Sequence, residues 1–161
     1  MFATLNESAL TQWLNSFLWG FPGAEIFHIV MTGGFFGGIA LLDLRLLGFH
    51  KRVPVSMLMQ HVIPTLWWLF CGVIVSGGLL FLFMPLEYSG NPAFLAKLVL
   101  IPLGGLNAVF MHLVLLRDQQ RWDSHAPVPS GVKLCALFSL VIWMSTLGAG
   151  RLIAYFYGVS L

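Results

Sequence analysis

Among the five histidines of this 161-residue chain, His61 and His112 stand where two imidazoles could share one metal ion. His61 follows the start of a long uncharged stretch by a few residues, and His112 precedes the end of another by a few. With a rise of about 1.5 Å per residue, the two rings fall at similar depth on two helices. At about 100° per residue, Thr65, Trp68, Gly72, Ser76 and Leu79 share the side of His61, while Ile101, Gly105 and Ala108 share that of His112. Small residues one to two turns from each ring leave a slot for a flat ligand, which is how a helical bundle holds a b-type haem between two imidazoles. Both rings must then be neutral, with their second nitrogens oriented by acceptors, and Thr65 is the candidate beside His61. Two other readings of these residues stay open. Met57, Met59, His61, Met111 and His112 form a thioether and imidazole set of the kind that suits Cu(I), and two membrane histidines can simply hydrogen-bond across helices.

A second group gathers toward the opposite membrane face: Glu25 and His28 on one span, Lys97 on another, Arg151 on a third. Ionisable groups inside a span are functional candidates. A carboxylate, an imidazole and two cations suit a quinone head group, a proton relay or the anchoring of haem propionates, and they suit a structural clasp equally well. Arg151, about two turns before the end of its span, calls for a partner, and Glu25 is the expected one. Lys97 alone reads as a side chain reaching for water. Asp43 and Arg45 read first as an ion pair at a helix end, with propionate binding by Arg45 second.

These groups are carried by a chain that is 58% hydrophobic and 9% charged, against roughly 25% charged residues in ordinary soluble domains. The composition predicts an all-α integral membrane four-helix bundle, a single membrane domain over 1–161, with transmembrane helices at 24–47, 54–84, 93–116 and 131–157. An interfacial helix is expected over 6–19, where apolar positions recur at helical spacing, with Phe21-Pro22-Gly23 breaking the chain before the first span. Gly34 and Gly38 fit close contact with one neighbouring helix, while the side bearing His28, Thr32, Phe35, Ile39 and Asp43 faces another. Such a chain has no room for a soluble catalytic domain, and its net charge of +2 gives no reason to expect nucleic acid.

Arg45, Lys51, Arg52, Arg117, Arg121 and Lys133 fall on one side of the membrane and only Lys97 and Arg151 on the other. The positive-inside rule therefore puts both termini outside the cytoplasm. No basic region precedes the first apolar stretch, so a cleavable signal peptide is not expected. Cys71 and Cys135 differ too much in depth to pair and read as structural thiols.

Phe21-Pro22, Glu25-x-x-His28, the run Leu-Leu-Asp43-Leu-Arg45-Leu-Leu-Gly48, Asn91-Pro-x-Phe94-x-x-Lys97 and Gly150-Arg151-Leu-Ile-Ala-Tyr155 together resemble a family of small bacterial four-helix membrane proteins known only as a domain of unknown function. The resemblance covers nearly the whole chain and implies the fold and a bacterial inner-membrane location. A broader resemblance, to small b-type membrane cytochromes, rests on His61 and His112; unlike four-histidine, two-haem cytochromes, this chain has one histidine in the opposite half, so His28 would need a non-histidine partner to ligate haem. The expectation is a membrane protein in a lipid bilayer that binds one haem b between the second and third spans. It would pass electrons to or from a quinone or a redox partner protein, with self-association into a homo-oligomer left open. The alternative is a non-redox membrane protein, either a copper-handling permease or a structural subunit.

Overall fold

A computed structural model describes residues 2–116 and 128–156. Among these residues every regular element is a helix: α1 (Phe2–Asn6), α2 (Ala9–Asn15), α3 (Gly20–Leu47), α4 (Val55–Phe83), α5 (Pro85–Ser89), α6 (Pro92–Phe110) and α7 (Ser130–Leu152). A π-helical turn, Met111–Leu115, extends α6, and a 3-10 turn, Ile153–Tyr155, ends α7. The helices α3, α4, α6 with its extension, and α7 are each long and apolar enough to cross a membrane, so the expected all-α four-helix architecture is present.

Local chemistry sets the ends of these helices. Asn91 accepts from the backbone N–H groups of Ala93 and Phe94 at 3.0 and 3.3 Å, capping α6, and its amide donates to the Ile153 carbonyl at 3.0 Å. One buried side chain thus starts the third span and ties it to the end of the fourth. At the other end of α3, Gly48 adopts a left-handed conformation, φ 110°. Glycine takes it without a Cβ clash, which lets Phe49 N–H reach back to the Leu44 carbonyl at 3.0 Å.

Two boundaries differ from those expected. The N-terminal segment forms two short helices in place of one over 6–19, because the Ser8 hydroxyl accepts from Thr11 N–H at 3.3 Å and starts a second helix. The first span begins at Gly20, ahead of Phe21-Pro22-Gly23. Pro22 falls in its first turn, where backbone N–H groups have no partner inside the helix and a missing one costs little.

Helix α3 packs along α4 and α7, and α7 packs along α3 and α6, while α4 and α6 do not pack along one another but meet where Phe81 stacks on Phe94, ring centroids 5.7 Å apart. Close approach at the α3/α4 seam depends on glycines. A Cβ on Gly38 would lie 2.7 Å from Leu66, one on Gly34 3.2 Å from Leu69, and one on Gly72 2.9 Å from the Met31 sulfur. At the α6/α7 seam Gly104 lies under the Trp143 ring, 2.8 Å from where its Cβ would be. Among the described residues four clusters fill the interior: Leu46, Val55, Met59 and Val132 at the end bearing the basic 48–54 loop, Phe35, Val73 and Trp143 in the middle, and, at the opposite end, Ala24, Leu80 and Phe83 beside Tyr88, Ala93 and Ile153. The outward surface carries Trp67, Trp68, Val75, Leu106 and Val141, each more than half exposed, a composition suited to hydrocarbon.

Candidate functional site

The strongest polar constellation lies toward the end of the bundle opposite the basic loop. His28 on α3 meets Ser76 on α4, with Nδ1 2.8 Å from Oγ. The Ser76 hydroxyl donates to the Gly72 carbonyl at 2.6 Å, so its single proton is committed and its lone pair is left to accept from His28 Nδ1–H. This assigns the neutral tautomer by the hydrogen-bond network. The lone pair of Nε2 then faces Lys97 of α6, whose Nζ lies 3.4 Å away. Lys97 reaches inward across the bundle and passes Gly150 of α7, where a Cβ would stand 3.3 Å from Nζ. The chain Lys97, His28, Ser76 and Gly72 carbonyl therefore joins three of the long helices through directed donors and acceptors.

Beside it lies a cavity to which all four long helices contribute. Its wall includes Thr32 and Phe35 from α3, Phe70 from α4, Lys97 from α6, and Trp143 and Thr146 from α7. Its enclosed volume is about 20 Å³, room for about one water molecule, and the rest of the depression opens outward. Phe35 meets Trp143 edge to face, ring centroids 4.9 Å apart, and tilts against Phe70 at 5.3 Å. Thr146 is satisfied by the Ile142 carbonyl at 2.8 Å. The hydroxyl of Thr32 is buried and has no hydrogen-bond partner, which in an apolar bundle marks a donor without its acceptor.

The other candidate residues are placed as follows. Glu25 and Arg151 are both exposed, and among the described residues no ion pair joins them. The helix of the fourth span ends at Leu152, so Arg151 stands in its last turn and not two turns deep; it is exposed and has no hydrogen bond or ion pair among the described residues. Arg45 does not pair with Asp43. Two positions apart on a helix, they diverge by about 200°, and Arg45 donates through Nε to the Val53 carbonyl and through Nη2 to the Lys51 carbonyl. It closes the loop after α3.

His61 and His112 are both exposed, and so are Thr65 and Gly105. His61 Nδ1 lies 2.8 Å from its own helix's Met57 carbonyl, the bond that orients it; Thr65 plays no such part. On α4 the cavity is faced by Phe70, and nine residues at about 100° each put His61 half a turn away from it. His112 lies in the π-helical turn beyond α6. The two imidazoles are thus carried on helices that do not pack along one another, one of them on a face turned from the cavity. Among the described residues no hydrogen bond joins the two imidazoles. Nor is the thioether set assembled: Met59 and Met111 pack in the core at the basic end, while Met57, His61 and His112 face outward. Among the described residues no group of three or more His, Cys, Asp or Glu converges on one point.

Sequence reasoning singled out His28 and Lys97 but not Thr32, Ser76, Phe70 or Trp143 as their company. Part of the signal was there, since Thr32 shares the His28 side of α3 and Ser76 lies on the polar stripe of α4. No family model, curated protein or solved structure matches the chain, so function is argued from this geometry alone.

Proposed function

We propose that this is a membrane-embedded protein that binds a quinone-type head group in the cavity shared by its four long helices, and that it works beside a redox partner protein in the bacterial inner membrane. The observation that carries the reading is that Lys97 and Thr32, whose hydroxyl is buried and unpartnered, both line an aromatic-walled cavity; they line it with apolar atoms, so a ligand must open the cavity and turn the two donors toward itself. A quinone presents two carbonyl acceptors on a flat ring, and such a ring packs favourably against aromatic faces. Its apolar tail needs a way to lipid, and the seam between α4 and α6, both of which line the cavity, supports one away from the point where Phe81 stacks on Phe94. The His28 and Ser76 pair fixes the donor geometry by giving Lys97 a neutral acceptor. The excess of Lys and Arg on the 48–54 side supports an orientation with that loop in the cytoplasm and both termini outside.

A resident haem b or a copper site would rest on His61 and His112, and the packing of their helices supports neither, so no step is derived through either group.

Photolabelling tests the proposal. A benzoquinone carrying an azide on its ring, irradiated with the purified chain, is expected to label peptides containing Phe35, Phe70 or Trp143, and excess unlabelled quinone is expected to suppress the labelling. Labelling confined to the outward residues Trp67 and Trp68 and insensitive to competitor would overturn the reading.

A further inference from the structure

Asp43 is a buried acid that the ligand cavity does not use. Its side chain is 2% exposed, in the last turns of α3 at the basic end. Ser139 of α7, itself 4% exposed, hydrogen-bonds the carboxyl, and the second oxygen, Oδ2, is buried with no partner. The cations nearby in sequence are committed elsewhere or turned outward. Arg45 is held by the Val53 and Lys51 carbonyls, Lys51 and Arg52 are exposed in the loop, and Lys133 is half-buried a turn and a half before Ser139. Among the described residues of α7, the titratable group that feels Asp43 is the Cys135 thiol. The core at this end receives Val55 and Met59 from α4 and Leu116 from beyond α6, all apolar.

A carboxylate with a bare oxygen in such surroundings has lost its water and, among the described residues, gained no counter-charge, so a cation must accompany it. Hard metal cations gather about six oxygens or more, and among the described residues Ser139 is the only side chain that offers one to Asp43. A proton needs no further ligand. We infer that Asp43 is a proton-binding site, a carboxyl that takes up and releases a proton at the basic end of the bundle while Ser139 holds it against α7. It lies on the face of α3 that also bears Thr32 and His28, fifteen residues or about 22 Å from the latter. The site stands independently of the quinone reading and is tested without any quinone.

The test uses dicyclohexylcarbodiimide, an apolar reagent that adds to a protonated carboxyl and leaves an acylurea on it, with the full-length protein in detergent and the adduct located by mass spectrometry. Asp43 is expected to be labelled, several-fold more slowly in alkaline than in acidic buffer, and at a rate unchanged by sodium. Asp43→Asn is expected to carry no adduct in that peptide. Ser139→Ala, which keeps the acid and removes its hydrogen bond, is expected to label several-fold faster. Exposed Glu25 and Glu87 serve as controls that react with a water-soluble carbodiimide instead. Absence of the adduct across the pH range, labelling indifferent to pH, or protection of Asp43 by sodium at constant pH would each overturn the assignment, the last by showing that the cation is a metal ion.

Discussion

At the scale of single residues, the arginines separate by what their guanidinium groups touch. Arg45 is 7% exposed and holds two loop carbonyls. Arg45→Ala strands those acceptors and should cost roughly 1.5–3 kcal/mol, the usual worth of hydrogen bonds to a charged group. Arg151→Ala removes an outward side chain and should change stability by no more than about 0.5 kcal/mol. Thermal unfolding of both variants in the same detergent checks the pair; equal losses would mean that Arg151 has a protein partner after all. The sequence showed that both arginines sit in apolar stretches but not which way they turn. Arg45 is captured by a loop whose path depends on Gly48 in a left-handed conformation, and Arg151 lies nearer a helix end than counting along the apolar run implied. The two-residue spacing of Asp43 and Arg45 did hold the answer, because side chains so spaced do not face each other on a helix.

At the scale of elements, the seams are set by small residues, and neighbouring glycines serve opposite purposes. Gly104 lies beneath Trp143, whereas nothing stands within 4 Å of where a Cβ on Gly105 would be. Gly104→Ala must displace a ring that itself packs on Phe35, and overpacking of this kind costs about 1–3 kcal/mol. Gly105→Ala should be neutral or slightly stabilising, since it only raises helix propensity. Comparing the two midpoints of thermal unfolding tests the seam; a loss confined to Gly105→Ala would mean that α6 is rotated from the position described. The pattern of Gly34 and Gly38 was legible because a small-residue spacing of four on an apolar helix has one physical use, close approach. The partner of α6 was not legible. Periodicity fixes which residues share a face but carries no information on which helix meets that face, so His61 and His112 looked paired by depth alone. The π-helical turn at His112 also shifts the register of everything beyond Phe110, and no local sequence rule signals it.

At the scale of the whole molecule, the hydrophobic composition, the four long apolar helices and the outward tryptophans tell one story, and it was readable from the chain because a bilayer imposes length and polarity so strictly. The packing order, α4 on α3, α3 on α7 and α7 on α6, came only with the structure. It leaves α4 and α6 meeting where Phe81 stacks on Phe94, and the entry route proposed for a lipid-borne ligand lies between these helices away from that stack. Reporters fused in the 117–127 connector and after Leu161 are expected to be cytoplasmic and external respectively; the reverse result would invert the sidedness of both sites and put Asp43 on the outer face.

The central claim is that Lys97 and Thr32 are the donors for a quinone-type ligand, and the most direct measurement is a calorimetric titration of the purified chain with a short-tailed benzoquinone. Wild type is expected to bind saturably at one site. Lys97→Met should weaken binding about 10- to 100-fold, the loss of one charge-assisted hydrogen bond, and Thr32→Val less, while His61→Ala and His112→Ala should bind as wild type. Unaltered binding in Lys97→Met and Thr32→Val, with binding lost in His61→Ala or His112→Ala, would contradict the account and return the function to the two exposed histidines.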